Sequence, residues 1–460
     1  MNNSLIATLM RLGPSSSEAI GRQLNVSQPT ISRMLSVSAN QVIRIGGSKN
    51  TIYAVPRKIR QLKDAIIPVF KVDELGVVTR FGELISVYPE GFLWEANQEN
   101  WPAETPKKRY FNSLPYFIHN SSPQGFMGRN FARINCDALG VPEDLNRWSD
   151  DDALVAMAIL GEDVPGNLIL GETSYRRFTE QNHDIIKESE LADSYLALAK
   201  MALSNGVAGS SAGGEFPKFT AIRENQNYPE GVAHVIVKFS GTGDTAHEQR
   251  WADLLRCEAY ASEITNTHLN AMSAASAVIT HGGRTFMEST RFDRVGMGGR
   301  RSMCSLSSLD AELVGSGDMN WEKLAEQLFK LKLIDENTAQ TIRRVFYFGK
   351  LIGNSDMHNG NLSFGLSESG KLVLSPIYDM LPMRYAPQRG VELPELIQDS
   401  LYKPMPGYED DYVLALKAAL AFWVRVSLDS DVSSDFRDIA EKWVVQLENL
   451  GIYKGNKVRF

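Results

Sequence analysis

The sequence predicts an α+β protein with more than one domain, and three observations support this prediction. Its 460 residues exceed what one ordinary core holds. Apolar residues recur at helical spacing near both ends, whereas residues 69–94 alternate apolar and polar side chains as β-strands do. Lysine and arginine are concentrated in the first 60 residues, which indicates a separate basic unit at the amino terminus.

The composition is that of an ordinary globular protein, with 43% hydrophobic and 22% charged residues. Its three cysteines (Cys136, Cys257 and Cys304) have no paired spacing, which excludes a disulfide framework and a cysteine-based zinc site. The sequence contains neither a signal-peptide pattern nor an apolar run long enough to span a membrane. We therefore expect a cytoplasmic protein with no membrane partner.

Charge separates the amino-terminal unit from the rest of the chain. Residues 1–60 contain eight Lys/Arg and one acidic residue, a charge of +7, while the other 400 residues carry −14. A basic unit on an acidic body predicts that only this unit approaches a polyanion. A basic, solvated surface with no partner is the alternative interpretation.

Residues 1–60 show the order helix, helix–turn–helix and hairpin, which is typical of a winged helix-turn-helix. Apolar spacing predicts helices over residues 2–11, 17–24 and 27–35, and β-branched runs predict a wing from strands 42–45 and 51–55. The side chains suited to base edges and phosphates are Gln28, Thr30, Ser32, Arg33, Arg44 and Lys49. We expect these residues to bind double-stranded DNA; a small helical domain that contacts proteins is the alternative.

Two segments in the middle of the chain could bind a nucleotide. Residues 205–218 contain four glycines and two serines, so their backbone N–H groups could close on phosphate oxygens, although a flexible surface loop fits equally well. Lys238 lies in a β-branched strand, as does the kinase lysine that pairs with nucleotide phosphates. The amphipathic helix predicted over residues 248–264 offers Glu248 or Glu258 as its partner, and the sequence does not decide between them.

The residues that carry the chemistry lie between positions 352 and 380. Asp356 precedes Asn361 by five residues, and Asp379 follows after a segment long enough for one hairpin. This spacing matches the base aspartate and the two oxygen ligands for Mg²⁺ that protein kinases use in phosphoryl transfer. His358 lies in the same loop, where we expect it to order the backbone beside the nucleotide. A polar Asn/Asp/Gly turn is the alternative.

Residues 352–361 (IGNSDMHNGN) and 376–380 (PIYDM) resemble the catalytic loop and the metal motif of HipA-like serine/threonine kinases. Residues 207–209 (VAG), 237–239 (VKF) and 291–294 (RFDR) resemble further elements of that family in the same order. The resemblance implies a two-lobed, protein-kinase-like HipA fold, here preceded by a winged helix-turn-helix domain. The expected ranges are 1–60 for the DNA-binding domain, 61–285 for the amino-terminal lobe and 286–460 for the mostly helical carboxy-terminal lobe.

The resemblance also implies roles for single residues, with ATP and Mg²⁺ as cofactors. Asp356 would be the catalytic base, Asn361 and Asp379 the Mg²⁺ ligands, and Lys238 a contact of the α- and β-phosphates. The other implied ATP contacts are Val207, Ala208, Gly209, Thr290, Phe292 and His358, with the adenine edge held by backbone near Thr290 and Phe292. Members of this family are commonly growth-arresting toxins of toxin–antitoxin systems. They phosphorylate a protein involved in translation, often an aminoacyl-tRNA synthetase, and a separate DNA-binding antitoxin neutralises them.

Three features depart from the family pattern. Gly206 stands where an autophosphorylated serine often precedes the VAG motif, which makes Ser210 and Ser211 the candidates for that role. Gly360 stands where the catalytic loop commonly has a lysine. The fused winged helix suggests that DNA binding and control of the kinase lie in one chain, and a two-fold DNA site would suit a homodimer.

Two other functions stay open at this point. A transcription regulator with a nucleotide-sensing or inactive kinase module would explain the DNA-binding unit, but it would not need Lys238, Asp356, Asn361 and Asp379 all intact. A small-molecule phosphotransferase on the same scaffold shares the spacing of aspartate and asparagine. Only Asn354, His358 and the YDM motif separate the two classes of kinase.

Overall fold

The computed structural model describes residues 2–47, 51–97, 108–204, 216–367, 371–388, 392–394 and 402–450, and it combines helices with mostly antiparallel sheets. The α+β class predicted from the sequence is confirmed. The chain forms two compact units, the first containing most of residues 1–182 and the second most of residues 183–460. The described residues include no helix that is long and apolar enough to cross a membrane.

The first unit begins with three helices and a three-stranded antiparallel sheet in the predicted order. The helices are α1 (Asn2–Leu12), α2 (Ser17–Leu24) and α3 (Gln28–Val37); the strands are β1 (Ser15–Ser16), β2 (Ile43–Ile45) and β3 (Ile52–Ala54), paired as β1-β3-β2. Helix α2 begins where the Ser16 side chain accepts a hydrogen bond from the Ala19 N–H at 3.2 Å. Helix α3 begins with Pro29 in its first turn, where the missing N–H costs no hydrogen bond.

A second sheet follows in the same unit, and all of its strand pairs are antiparallel. Its strands are β4 (Ile66–Val72), β5 (Val78–Ser86), β6 (Phe92–Ala96), β7 (Lys108–Phe111) and β8 (Leu168–Leu170), in the order β7-β6-β5-β4-β8. The accompanying helices are α4 (Tyr116–His119), α5 (Gly125–Leu139), α6 (Asp150–Leu160) and α7 (Gly171–Glu180). Helix α6 begins at a capping box made by Ser149 and Asp152, which satisfies two backbone N–H groups.

The amino-terminal three-stranded sheet shares a core with this second sheet. Buried residues of β2, β3, β5, β6 and the turn after β5 form one cluster: Ile45, Ala54, Ile85, Val87 and Leu93. Pro56 pairs with Val87 as an antiparallel bridge, and Arg57 donates hydrogen bonds to both carboxylate oxygens of Asp151. The predicted boundary after residue 60 therefore follows a segment that is packed on the next domain rather than a free linker.

The second unit contains a five-stranded sheet in the order β12-β13-β11-β10-β9. Its strands are β9 (Ile185–Ile186), β10 (Lys218–Glu224), β11 (Val232–Phe239), β12 (Ser276–His281) and β13 (Arg284–Thr290), and its helices are α8 (Leu191–Ser204) and α9 (Ala246–His268). Only β9 and β10 are parallel. The predicted boundary at residue 285 falls inside β13, which pairs on both sides, so this sheet continues to Thr290.

The rest of the second unit is mostly helical. Its helices are α10 (Leu306–Leu309), α11 (Trp321–Lys330), α12 (Glu336–Leu351), α13 (Glu409–Leu428) and α14 (Ser434–Asn449). Its short strands are β14 (Arg294–Val295), β15 (Gly299–Arg300), β16 (Cys304–Ser305), β17 (Ser363–Leu366) and β18 (Leu372–Leu374). Strands β17 and β18 lie in one sheet, as the hairpin predicted before Asp379 requires. Fully buried Trp321, Phe348 and Trp423 belong to the core of this part.

Candidate active site

Lys238 in β11 forms ion pairs with Glu258 of α9 and with Asp379. It lies in β11, is 7% exposed, and its Nζ donates to both carboxylate oxygens of Glu258 at 2.7 Å. The same ammonium group donates to Asp379 Oδ1. Glu258 on α9 is therefore the partner that the sequence left undecided. Glu248 lies in the first turn of that helix, where it accepts a hydrogen bond from the N–H of Asp244 at 3.1 Å.

The charges of this group suit binding of phosphate and a cation. Burial lowers the pKa of Lys238, but Asp379 and Glu258 outweigh it and hold the pKa above its usual value. Burial raises the pKa of Asp379, and the positive charges of Lys238 and then Lys218 overcome this and keep it below the usual value. Burial raises the pKa of Glu258 to about 6, although Lys238 opposes the rise. Near neutral pH the lysine is therefore protonated and Asp379 is ionised.

The loop that contains Asp356 is held by hydrogen bonds made by the amide side chains of Asn354 and Asn361. The N–H of Asp356 donates to Asn354 Oδ1 at 2.9 Å, and Asn361 Nδ2 donates to the carbonyl of Asp356 at 2.9 Å. Asn354 Nδ2 also donates to the carbonyl of Asp379 at 3.4 Å. The loop therefore brings Asp356, Asn361 and Asp379 together, while the Asp356 side chain stays half exposed. Asn361 uses its amide nitrogen within the loop, which leaves Oδ1 as its atom for a cation.

His358 makes a hydrogen bond with the backbone of this loop. Its Nδ1 accepts a hydrogen bond from the N–H of Gly360 at 3.1 Å, and its Nε2 lies 4.0 Å from Asp356 Oδ1. A Cβ at position 360 would lie 2.9 Å from the His358 ring, so the lysine common in the family would require this ring to shift. The Tyr378 hydroxyl donates to the carbonyl of Gly360 at 2.9 Å and so ties the residue before Asp379 to the loop.

The segment that leaves β13 contains the two predicted adenine contacts. The N–H of Thr290 donates to the carbonyl of Ala275 at 2.8 Å, so a contact of Thr290 with adenine would have to use its carbonyl. Phe292 is half-buried, and its ring centroid lies 5.6 Å from that of Tyr378. This ring therefore packs beside the residue that precedes Asp379.

Part of the predicted nucleotide site lies outside the described residues, namely Val207, Ala208, Gly209, Ser210 and Ser211, together with Gly206. The described chain resumes at Phe216, whose ring centroid lies 5.7 Å from Lys238 Nζ. Lys218 pairs in register with Lys238 across β10 and β11 and contributes positive charge to Asp379. Sequence reasoning missed Lys218, although its place at the end of the glycine-rich segment 205–218 was a usable signal.

Two oxygen donors are present for a cation. Among the residues that the structure describes, no group of three or more His, Cys, Asp or Glu side chains could hold a metal ion on its own. Asn361 and Asp379 supply one amide and one carboxylate, which are hard ligands that fit Mg²⁺ when phosphate and water oxygens complete its shell. Asp379 adopts a positive φ of 59°, which is uncommon outside glycine and typical of residues under functional constraint.

The predicted DNA contacts lie on the surface of the first unit. Gln28, Ser32, Arg33 and Arg44 are exposed and Thr30 is half-buried; Lys49 lies outside the described residues. Gln28 Nε2 donates to Ser17 Oγ at 3.0 Å, and the hydroxyls of Ser27 and Thr30 lie 3.0 Å apart. Helix α3 thus presents polar side chains outward while Ile31 and Leu35 are buried.

Comparison with known proteins identifies two families along the chain. The family model described as the middle domain of the YjjJ-like toxin matches residues 63–179, and the HipA-like C-terminal domain matches residues 210–442. The second range contains Lys238, Glu258, Asp356, Asn361 and Asp379. Toxin YjjJ of Escherichia coli (strain K12) is 32% identical over 441 residues, 95% of this chain and 96% of that protein.

One solved structure supports the same relationship at the level of the fold. A protein chain of the HipA, HipB and operator DNA complex of Shewanella oneidensis MR-1 aligns with a TM-score of 0.51 and 15% identity. The alignment covers 83% of this chain and 97% of that chain. The Helicobacter pylori proinflammatory kinase CtkA aligns with a TM-score of 0.33 and 14% identity, covering 47% and 85% of the two chains. From the sequence and family matches, the chain belongs to the YjjJ-like toxins, with a HipA-like C-terminal domain.

Proposed function

We propose that this protein is an ATP- and Mg²⁺-dependent serine/threonine-protein kinase that arrests growth as a toxin. The observation that carries the proposal is the ion pair of Lys238 with Glu258, in contact with Asp379. The lysine, the helix glutamate and the metal aspartate are the parts that must be in place in an active protein kinase. A turn that is polar for structural reasons alone would not need this buried arrangement.

Each side chain then has a role in transfer of the γ-phosphoryl group. Asp356 accepts the proton of the attacking hydroxyl, and its half-exposed position leaves room for a protein substrate. Lys238 and Lys218 would offer positive charge to the phosphates, while Asn361 and Asp379 would hold Mg²⁺, which would supply further positive charge there. Val207, Ala208 and Gly209 would cover the phosphates, His358 would line the nucleotide side, and Thr290 and Phe292 would meet the adenine.

The toxin part of the proposal draws on the relatives. The Escherichia coli protein is named a toxin, and the family resemblance implies growth arrest by phosphorylation of a protein involved in translation. An aminoacyl-tRNA synthetase is the substrate class that this resemblance favours. Such a target requires the protein to act in the cytoplasm.

The amino-terminal helices support a regulatory role on DNA. The structural relative from Shewanella oneidensis was solved with HipB and operator DNA. In this chain we assign double-stranded DNA binding to residues 1–60, with α3 as the recognition helix and Gln28, Thr30, Ser32 and Arg33 as its contacts. Arg44 and Lys49 of the wing would contact phosphates, and a homodimer would read a two-fold site. Ser210 or Ser211 would be the autophosphorylated residue, and a separate antitoxin stays an open partner.

Transfer of radiolabel from γ-labelled ATP tests the kinase proposal. The wild-type protein should label itself or a protein in a lysate when Mg²⁺ is present, and Asp379→Asn should abolish that label because a metal ligand is lost. Mapping of the labelled residue would distinguish Ser210 and Ser211 from other sites. Equal labelling by wild type and Asp379→Asn would reject the assigned site, whereas transfer only to a small molecule would favour a small-molecule phosphotransferase.

A further inference from the structure

Helix α9 carries Glu258, and another side of this helix bears four polar side chains. Arg250, Asp253, Arg256 and Tyr260 are spaced by three or four residues, so they share one side of the helix. Glu258 is five residues after Asp253, which places it about 140° around the helix at 3.6 residues per turn. The two sides therefore have different partners: Lys238 on the Glu258 side, and the carboxy-terminal helices on the other.

Residues 429–435 contact this polar side of α9, and we name these residues the clasp loop. They include the link between α13 and α14 and the first turn of α14. Asp253 accepts hydrogen bonds from the backbone N–H of Ser433, at 2.9 Å, and from the Ser433 hydroxyl. The further contacts are Arg250 to Asp435 at 2.8 Å, Arg256 to Asp431 at 3.4 Å, and the Tyr260 hydroxyl to Asp429.

The carboxylate of Asp253 is buried and Ser433 is half-buried, so the contact between them is more restrictive than one on the surface. Asp253 is 0% exposed, and Gln249 Nε2 is its further donor at 3.3 Å. Burial raises the pKa of Asp253, while the hydrogen bonds from Ser433 oppose that rise. A buried carboxylate that loses its hydrogen-bond donors destabilises the folded protein. The position of α9 in which Ser433 donates to Asp253 is therefore favoured over positions in which it cannot.

Arg250 extends the same set of contacts towards the metal motif. It is 4% exposed and donates to the carbonyl of Tyr385 at 3.3 Å, and its guanidinium carbon lies 4.8 Å from the ring centroid of Phe436. Tyr385 follows Asp379 by six residues. One buried side chain therefore joins α9 both to α14 and to the segment after Asp379.

We propose that Ser433 of the clasp loop is a positioning residue of the active site: through Asp253, it holds α9 where Glu258 binds Lys238. The inference rests on the proposed kinase function. Ser433 and Asp253 are assigned no contact with nucleotide or substrate. They act only by fixing the position of α9. A negative charge on Ser433 would face the buried carboxylate of Asp253 and displace α9, which would release Lys238 from Glu258.

The first test compares S433E with S434E in the full-length protein. Ser434 is exposed and adjacent, so S434E adds the same charge without removing the hydroxyl that binds Asp253. With ATP as the varied substrate, kcat/KM should fall by roughly tenfold or more in S433E, because the buried carboxylate of Asp253 loses the hydroxyl donor of Ser433 and faces a second negative charge. The value for S434E should stay within about twofold of wild type, as for an ordinary surface change. Equal kcat/KM in S433E and wild type would overturn the proposal.

A double-mutant cycle with E258Q separates positioning from a general loss of structure. If Ser433 acts through Glu258, S433E should cause little further loss once Glu258 is already replaced. If the same fold-loss appears in the E258Q background, Ser433 does not act through this glutamate and the proposal is wrong. S433A provides a milder step in the same direction, since it removes the hydroxyl donor and retains the backbone donor.

The rate of cysteine alkylation reports the position of α9 independently of kinase activity. Cys257 on α9 and Cys304 in β16 are both 0% exposed. In S433E, Cys257 should be alkylated faster than in wild type while Cys304 stays protected, as mass spectrometry of the labelled peptides would show. Continued protection of Cys257, or equal exposure of both cysteines, would overturn the proposal. If the wild-type protein transfers no phosphoryl group but S433E selectively exposes Cys257, the kinase function is rejected. The role of Ser433 in positioning α9 is then retained.

Discussion

At the scale of single residues, the site depends on Lys238, whose ammonium group contacts carboxylates from two elements. Glu258 reaches it from α9, and Asp379 reaches it from the segment after β18. Lys238 and Glu258 are buried and the Asp379 side chain is 28% exposed, so removal of either partner leaves the lysine charge with poor access to water. Substitutions at these positions should therefore affect catalysis much more than substitutions of exposed acids on the same helix.

Glu258→Gln should reduce kcat/KM strongly, whereas Glu248→Gln should not. Breaking a buried ion pair costs about 3 kcal/mol, which corresponds to roughly a hundredfold in kcat/KM if the loss is expressed in the transition state. Glu248 lies on the same helix, near its first turn, and bonds only local groups, so its substitution should stay within about 0.5 kcal/mol. Steady-state kinetics on the two variants check this expectation; equal loss would mean that Lys238 has another functional partner.

The sequence predicted most of the candidate site but not this partner. Asp356, Asn361 and Asp379 could be identified because local spacing along the chain carries their relationship. The choice between Glu248 and Glu258 could not be made, since it depends on how α9 is rotated against the sheet. That rotation is set by distant residues such as Ser433, which no local pattern connects to Lys238.

At the scale of elements, the catalytic loop and the metal motif are joined by the Tyr378 hydroxyl. It donates to the carbonyl of Gly360, and its oxygen lies 2.7 Å from the Ser363 hydroxyl oxygen. The loop that bears Asp356 is thereby connected to the residue before Asp379. Burial raises the pKa of Tyr378, so the hydroxyl stays protonated and can act as a donor.

Tyr378→Phe should lower kcat by roughly tenfold, because about 1 kcal/mol is lost with each such hydrogen bond and the loop loses its connection to Asp379. Tyr412→Phe is a matched control, since its hydroxyl donates to the carbonyl of Tyr402 within the helical part. Both variants should lose similar thermal stability, as measured by calorimetry. A normal kcat in Tyr378→Phe would show that this connection does not position the catalytic groups.

Helix α3 is the proposed recognition helix and would lie in the major groove of DNA. Arg33→Ala should weaken duplex binding and lower the slope of log K against log salt by about one, because one phosphate or base contact is removed. Arg176→Ala is the control, since it removes an exposed charge from α7 in the same unit. Fluorescence anisotropy over a range of salt concentrations measures both. Identical salt slopes for the two variants would argue against α3 as the recognition helix.

At the scale of the whole chain, the predicted α+β class is confirmed, and helices and strands with strong periodicity lie near their predicted places. The boundaries were harder to predict, because they depend on long-range packing. Ile45 of β2 and Ala54 of β3 are buried with Leu93 of the next sheet, so the amino-terminal helices and sheet pack on the segment that follows them. Likewise β13 continues beyond residue 285 because it pairs with strands on both of its edges.

Growth arrest is proposed to result from phosphoryl transfer at the site that contains Asp356, and expression in bacteria with quantitative phosphoproteomics tests this link. The wild-type chain should stop growth and create new phosphoserine or phosphothreonine on a cellular protein. Asp356→Asn should do neither, while Ser355→Ala, a change at the exposed neighbouring residue, should behave as wild type. Growth arrest by Asp356→Asn as strong as that by wild type, with no dependence on new phosphorylation, would contradict the account.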